Sequence, residues 1–525
     1  MRRVDDSAWP PITVTNFVNL TLMNDHTSWR ITLQDSIDSI VTEQYSVSYT
    51  AMSNDFEGRR RARKDRKDLK AVNLIILEGR TGCGKTTLMI KISRDWANGE
   101  ILQGKLLIFI KLGRLETSSD LSLASVIRCV CPSFDAKDIT GICAIITECE
   151  GMNTVFAFDG LDEYSPKSND NIITNIIKGE VLPNALVIVT SRPAASQKFR
   201  QYASKQIEVL GFLQHNVKEY IQSYFTKSPD KAESLITHLE QHPNIMNMCY
   251  LPLHSAMLVF LYEEDQHLPE TETEIYAHFT RSILLRSIQK RRGNSGIGFR
   301  LTRYSDLTSE DKDLFDNICK LAFEATVSLR QVFKLEDIAI DAGSTGSDDS
   351  TLGLIVIDRY FMKYGYDETY TFLHQTFQEY LAAVHIAGLS NSEQMDLINI
   401  HSKSKHLLVV WRFLCGMMDF SQPAAITLFD LLLKKASLDS LTNIRFAYES
   451  QHALPCTNVL NMCEGILMFS KMHLSPLDCA AIGYVINRAD FEPVQLVFKH
   501  CDFTKVGLET LCQHINDNPV SLNVQ

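Results

Sequence analysis

Gly79-Arg80-Thr81-Gly82-Cys83-Gly84-Lys85-Thr86 decides the fold of this 525-residue chain. The stretch is a complete G-x-x-x-x-G-K-[ST], which average residue frequencies would produce by chance in roughly one or two chains in a hundred of this length. Its surroundings sharpen the reading. The apolar run Leu74-Ile75-Ile76-Leu77 stands just before it, and after Thr86 the residues Met89, Ile92 and Trp96 recur at helical spacing. A strand that turns through glycines into a helix presents backbone N–H groups to phosphate at the positive end of the helix. Glycine is needed there because a side chain would block the approach or forbid the backbone angles. Gly79, Arg80, Thr81, Gly82, Cys83, Gly84, Lys85, Thr86 and Thr87 are therefore candidate binding positions for ATP or ADP. Lys85 is expected to reach the β- and γ-phosphates, and the Thr86 hydroxyl to ligate Mg²⁺.

Further along the chain, Leu106-Leu107-Ile108-Phe109-Ile110, Val155-Phe156-Ala157-Phe158 and Leu186-Val187-Ile188-Val189 are short runs apolar on both faces, the signature of buried parallel strands. With helical segments between them they predict an α/β P-loop domain with a doubly wound parallel sheet. The second run ends in Asp159-Gly160-Leu161-Asp162-Glu163. A carboxylate at a strand end beside the phosphate loop supplies the hard oxygen that a phosphate-bound Mg²⁺ needs, so Asp159 is the candidate metal ligand with Thr86. Asp162 and Glu163 follow as catalytic candidates, one to orient an attacking water and the other to hold the loop. The last run ends in Thr190-Ser191-Arg192-Pro193, which places Arg192 at the same rim of the sheet, where it can sense a γ-phosphate or make an ordinary surface ion pair.

After Gln206 helical periodicity takes over, punctuated by Pro229, Pro243, Pro252 and Pro269. Loop signals at Gly293-Asn294-Ser295-Gly296 and from Gly343 to Gly353 bracket a separate module. Near the end, Leu496-x-Phe498-x-x-Cys501-x-Phe503 fits one leucine-rich-repeat unit, and Leu522 and Val524 fit the opening of a second.

Composition excludes several classes. A net charge of -11 opposes a surface built to hold nucleic acid, and the basic run 59–70 reads first as a solvated linker because Asp65 and Asp68 interrupt it. No run approaches the ~18 apolar residues of a membrane span, and no apolar segment follows the N-terminus, so a cytoplasmic location is the expectation. Thirteen scattered cysteines, of which Cys129 and Cys131 lie too close together for a zinc knuckle and have no Cys-x-x-Cys or paired-histidine motif nearby, predict reduced thiols and no structural metal beyond Mg²⁺.

The Asp159–Glu163 and Thr190–Pro193 motifs together resemble the NACHT family of signalling ATPases, nucleotide switches related to the NOD-like receptors of innate immunity. Cys249-Tyr250-Leu251-Pro252-Leu253 is similar to the family's helical-domain motif, which implies that Pro252 packs on adenine. Phe372-Leu373-His374-Gln375-Thr376-Phe377-Gln378-Glu379-Tyr380-Leu381-Ala382-Ala383 resembles its winged-helix motif, which implies that His374 contacts the β-phosphate of ADP. The resemblance implies a pre-NACHT segment over 1–70, a nucleotide-binding domain over 71–206 and a first helical domain over 207–295. A winged helix over 296–390, a second helical domain over 391–485 and the beginning of leucine-rich repeats over 486–525 would follow. Trp9 to Leu22 looks like the short element that precedes the domain in some relatives, and no death-fold domain fits in the first seventy residues.

The function implied is a switch that is a closed monomer with ADP and an open homo-oligomer with ATP, hydrolysing slowly at most and passing a signal to an unidentified protein partner. The competing readings are a turnover ATPase or phosphotransferase, marked by typical rates of about 10 per second, and a nucleic-acid factor acting through residues 59–70.

Overall fold

The structure is a computed structural model that describes residues 21–24, 30–31 and 74–524, apart from 116–120, 132, 165–170, 266–267, 292–306, 335–336, 338–351, 363–364, 437–438, 504 and 516–519. The basic run 59–70, residues 9–20 and the loops 293–296 and 343–351 lie outside the described residues.

The first elements among the described residues are two short strands, β1 (Thr21–Asn24) and β2 (Arg30–Ile31). The P-loop domain then runs through β3 (Leu74–Gly79), α1 (Lys85–Ala97), β4 (Leu106–Lys111), α2 (Leu123–Val130), α3 (Ala136–Glu148), β5 (Thr154–Asp159), α4 (Ile172–Lys178), β6 (Leu186–Ser191) and β7 (Lys205–Gly211). Strand order is β2-β1-β7-β3-β6-β5-β4, with β7 through β4 parallel and β1 and β2 antiparallel at one edge.

Every residue of β3, β5 and β6 is buried, because both faces of the sheet are covered. Leu74, Ile76, Phe156, Phe158, Val187 and Val189 face one core, while Ile75, Leu77, Val155, Ala157 and Ile188 face a second core that is continuous with the helical half of the molecule. This is why the strand runs are apolar throughout rather than alternating. The order also decides the site. Since β6 lies between β3 and β5, the ends of these three strands place the phosphate loop, Arg192 and Asp159 along one rim.

The helical half comprises α5 (Gln214–Tyr224), α6 (Pro229–Gln241), α7 (Pro252–Asp265), α8 (Glu272–Arg291) and α9 (Ser309–Val327). An antiparallel hairpin, β8 (Ile355–Met362) with β9 (Gly365–Phe372), leads into α10 (Gln375–Ala387). The helices α11 (Asn391–His401), α12 (Leu408–Met417), α13 (Pro423–Ala436), α14 (Ser440–Ser450) and α15 (Ala453–Met462) follow. A strand and helix array closes the chain: β10 (Ile466–Ser470), β11 (His473–Leu474), α16 (Pro476–Arg488), β12 (Val494–Lys499), β13 (Asp502–Phe503), α17 (Lys505–Ile515) and β14 (Val520–Val524). Its strands β10, β12 and β14 are parallel, with Leu467, Leu496 and Leu522 in one row and Phe469, Phe498 and Val524 in another.

Two expected boundaries need correction. A division between 206 and 207 cuts β7, which pairs with β3 inside the sheet, so the P-loop domain extends through Gly211. A division between 485 and 486 cuts α16, and the strand and helix alternation already starts at Ile466.

Candidate functional site

Gly82 (φ 79°) and Gly84 (φ 100°) are left-handed, which lets the chain leave β3 and enter α1 within one tight turn. A Cβ on Gly79 would lie 2.7 Å from both Cys83 Sγ and the Val209 carbonyl, so the loop fits only with glycine there. The Lys85 ammonium donates to the carbonyls of Gly79 and Arg80, each at 2.8 Å. Two of its three donors thus brace the loop, and the third is left for a ligand oxygen.

Asp159, buried at the end of β5, accepts a 2.6 Å bond from the Thr190 hydroxyl and another from Thr86. Burial raises the Asp159 carboxyl above its usual value, against the opposing pull of Thr190, Lys111, Thr86 and Lys85. The Thr190 hydroxyl also accepts from the Gly160 N–H at 2.8 Å, which fixes the turn after β5. That turn needs Gly160 (φ 80°), because a Cβ would meet the Glu163 carboxyl at 2.7 Å. Glu163 is pushed up to about 8, first by burial and then by Asp162 and Asp159.

Arg192 and Asp162 are brought together, but as a pair. Asp162 accepts from the Arg192 backbone N–H at 3.1 Å and lies 2.9 Å from its Nε. The far end of the guanidinium, Nη2, reaches Glu379 on α10 at 2.9 Å. The Arg192 guanidinium therefore bridges the rim of the sheet to the helix after the hairpin, and Asp162 serves as its other anchor.

His374 caps α10, its Nδ1 accepting from the Thr376 N–H at 3.2 Å and lying 2.8 Å from the Thr376 hydroxyl. The Tyr276 hydroxyl donates to that same oxygen at 2.6 Å, so the Thr376 proton turns toward Nδ1. With Nδ1 accepting, the neutral ring carries its proton on Nε2, a donor suited to a phosphate oxygen. Burial, followed by Lys85 and Arg192, lowers His374 to about 3 from 6.5. Its folded value lies below its unfolded one, so its contribution to stability is complete above pH 6.5 and is lost as pH falls toward 3. His374→Gln should flatten the acid side of the stability profile across that window. Urea midpoints that fall as steeply as in the wild type would refute this.

These groups surround one cavity of about 430 Å³, within the size range of small-molecule sites. Thr81, Gly82, Gly84, Lys85, Thr86 and Thr87 line it, together with Asp159, Asp162, Glu163, Arg192, Pro252 and His374. Ile90, Phe212, Tyr220 and Leu253 add an apolar wall beside Pro252, which suits a planar base. The Leu253 N–H donates to the Gly82 carbonyl at 3.3 Å, tying the start of α7 to the loop. Gly79, Arg80 and Cys83 do not line the cavity: Cys83 is buried in the core, and the Arg80 side chain ion-pairs with Asp478 on α16. Among the described residues no group of three or more His, Cys, Asp or Glu side chains is placed to hold a metal ion.

Sequence reading missed Glu379, Thr376, Tyr276 and Thr190. Glu379 lies within the motif already quoted, and a carboxylate flanked by Phe377, Tyr380 and Leu381 on one helix is the signal that a buried partner awaits it.

The NACHT domain family model matches residues 73–228, which hold the phosphate loop, Asp159 and Arg192. The chain carries a NACHT domain over these residues. It is 26% identical over 336 residues to nucleotide-binding oligomerization domain-containing protein 2 of Hylobates lar, covering 60% of this chain and 31% of that one. To NACHT, LRR and PYD domains-containing protein 3 of Rattus norvegicus it is 24% identical over 501 residues, covering 85% of this chain and 44% of that one. This NACHT chain thus spans about a third to under half the length of the curated relatives it matches. A signal transduction ATPase with numerous domains and a tetratricopeptide repeat sensor, from Pyrococcus horikoshii, aligns over 87% of this chain and 69% of its own at 11% identity and a TM-score of 0.28, too slight a likeness to add to the fold. Among the described residues of the NACHT chain no helix is long and apolar enough to cross a membrane.

Proposed function

We propose that this protein is a nucleotide-dependent signalling switch, closed and monomeric with ADP and open and oligomeric with ATP, acting in innate-immune or related sensing in the cytosol. One observation carries the reading: the phosphate loop and the His374 end of α10 line the same cavity, so a nucleotide would touch both halves of the chain at once. A ligand shifts a conformational equilibrium only by its differential affinity for the two states. Lys85, Thr86 and the loop backbone stay together in any arrangement of the domains, whereas His374 can contribute only while α10 lies against the loop.

In this reading Thr86 and Asp159 would hold Mg²⁺, which neutralises phosphate charge when bound. Lys85 would hold the β-phosphate side and Pro252 would pack on the base. His374 Nε2–H would donate to a phosphate oxygen, and Arg192 would hold Glu379 in the closed form. The hairpin with α9 and α10 would be the winged helix, and β10 onward the start of leucine-rich repeats. Asp162, occupied by Arg192, is assigned to holding that arginine, which leaves Glu163 as the candidate to orient water.

His374→Ala should raise spontaneous oligomerisation severalfold while nucleotide still binds, as followed by light scattering and nucleotide content. An unchanged monomer fraction would count against the assignment.

A further inference from the structure

Arg80 occupies a variable position of the phosphate-loop motif, yet its guanidinium is committed elsewhere. It ion-pairs through Nη2 with Asp478 Oδ2, and its Nη1 lies 3.3 Å from Asp478 Oδ1 and 3.2 Å from the Ser475 hydroxyl. Asp478 sits in the first turn of α16, where it also accepts the Ser475 N–H at 3.0 Å as half of a capping box. A second arginine, Arg445 on α14, meets the same carboxylate through Nε at 2.8 Å and Nη2 at 2.7 Å. Asp478 is 1% exposed. Burial alone would raise its carboxyl, but Arg445 and then Arg80 hold it well below the usual carboxylate range. Glu272, at the start of α8 and paired with Arg412 at 2.5 Å, extends the cluster and adds its field to Arg80 and Arg445. Apart from Arg80, these charges come from the helical half and the C-terminal array.

The backbone of the same residue is tied to the nucleotide site through Lys85. The Arg80 carbonyl is one of the two oxygens that hold the Lys85 ammonium, at 2.8 Å. One residue thus has its carbonyl on the phosphate-binding lysine and its side chain on a helix nearly four hundred positions away. A shift of α16 that pulled on the guanidinium would disturb the carbonyl, and a disturbed loop would loosen the ion pair, because coupling between two sites is reciprocal.

We propose that Arg80 is a latch between the phosphate loop and the C-terminal strand and helix array: Asp478 fixes the guanidinium, and through it the loop that seats Lys85, so that losing either charge speeds nucleotide release and loosens α16. Arg80 is a positioning residue here, since its side chain does not line the cavity. The proposal rests on nucleotide binding at the loop and adds the array as a regulator of it.

The test is the release rate of a fluorescent ADP analogue from the full chain. Arg80→Ala and Asp478→Asn should each raise it about tenfold, within the 5–150-fold range of typical coupling. The double variant should be no faster than either single, because one contact is lost in all three. Arg80→Lys, which keeps the charge but not the fork, should fall between. An increase with Arg80→Ala alone would mean that Arg80 acts on nucleotide directly and would overturn the latch, as would no increase in either. Asp478→Asn leaves two half-buried guanidiniums facing each other without their carboxylate and can fail to fold. Arg80→Ala leaves Asp478 paired with Arg445, so amide exchange over 476–488 in that variant gives a second reading. About tenfold faster exchange is expected there, and unchanged exchange would overturn the latch. This readout needs no nucleotide, so a wild-type chain that holds none would sink the switch reading while the exchange still judges the latch.

Discussion

Lys85→Ala should leave the purified chain empty of nucleotide and weaken ADP binding about a hundredfold, or ~2.7 kcal/mol. The ammonium has two tasks in the structure. It braces the carbonyls of Gly79 and Arg80, and it keeps one donor for a phosphate oxygen. A hydrogen bond to a charged group contributes ~1.5–3 kcal/mol, and the loss of the brace adds the cost of ordering the loop anew at each binding event. The side chain lines a solvent-accessible cavity rather than the core, so the fold should survive. Titration calorimetry with ADP on wild type and variant measures the difference, and equal affinities would mean that nucleotide binds elsewhere.

Arg192→Ala should destabilise the folded chain by ~3–5 kcal/mol, the range for breaking a buried ion pair from one side. The guanidinium serves two carboxylates, Asp162 on the sheet rim and Glu379 on α10. Glu379 is 1% exposed, and its Oε2 already has no hydrogen-bond partner. Losing Arg192 would strip a buried carboxylate of its ion-pair partner, leaving only the field of Arg412 against the burial that already raises that group. Thermal unfolding with ADP present should fall by roughly ten degrees. Adding Glu379→Gln to Arg192→Ala should recover much of the loss, because a neutral amide no longer requires the cation. A single variant that unfolds within a degree of wild type would show that the bridge holds nothing together.

The phosphate loop, the strand runs and Asp159 were legible in the sequence because each is a local pattern. Glycines at fixed offsets, apolar runs of strand length and a carboxylate at a strand end declare themselves within ten residues. Pro252 and His374 were reachable only through resemblance, since a proline at a helix start and a histidine at a helix cap are common and only the fold carries them to the loop. The pairings of Arg80 and Arg192 were not legible. Both arginines stand where a phosphate contact is the natural expectation, and their partners Asp478 and Glu379 lie hundreds of residues downstream on helices whose placement no local pattern fixes. The boundary near 486 was misplaced for a related reason. Ile466-Leu467-Met468-Phe469 reads as ordinary apolar chain until its register with β12 shows that it opens the array.

In the proposed switch, two nucleotides hold two different arrangements of this chain. Its most direct test is the mass in solution, by light scattering coupled to size separation, of the full chain loaded with ADP and, separately, with a non-hydrolysable ATP analogue. A monomer with ADP and a multi-subunit particle with the analogue are expected, and His374→Ala should narrow that difference. One mass under both conditions, in a chain that turns over ATP many times per second, would contradict the switch and assign the site to a turnover enzyme.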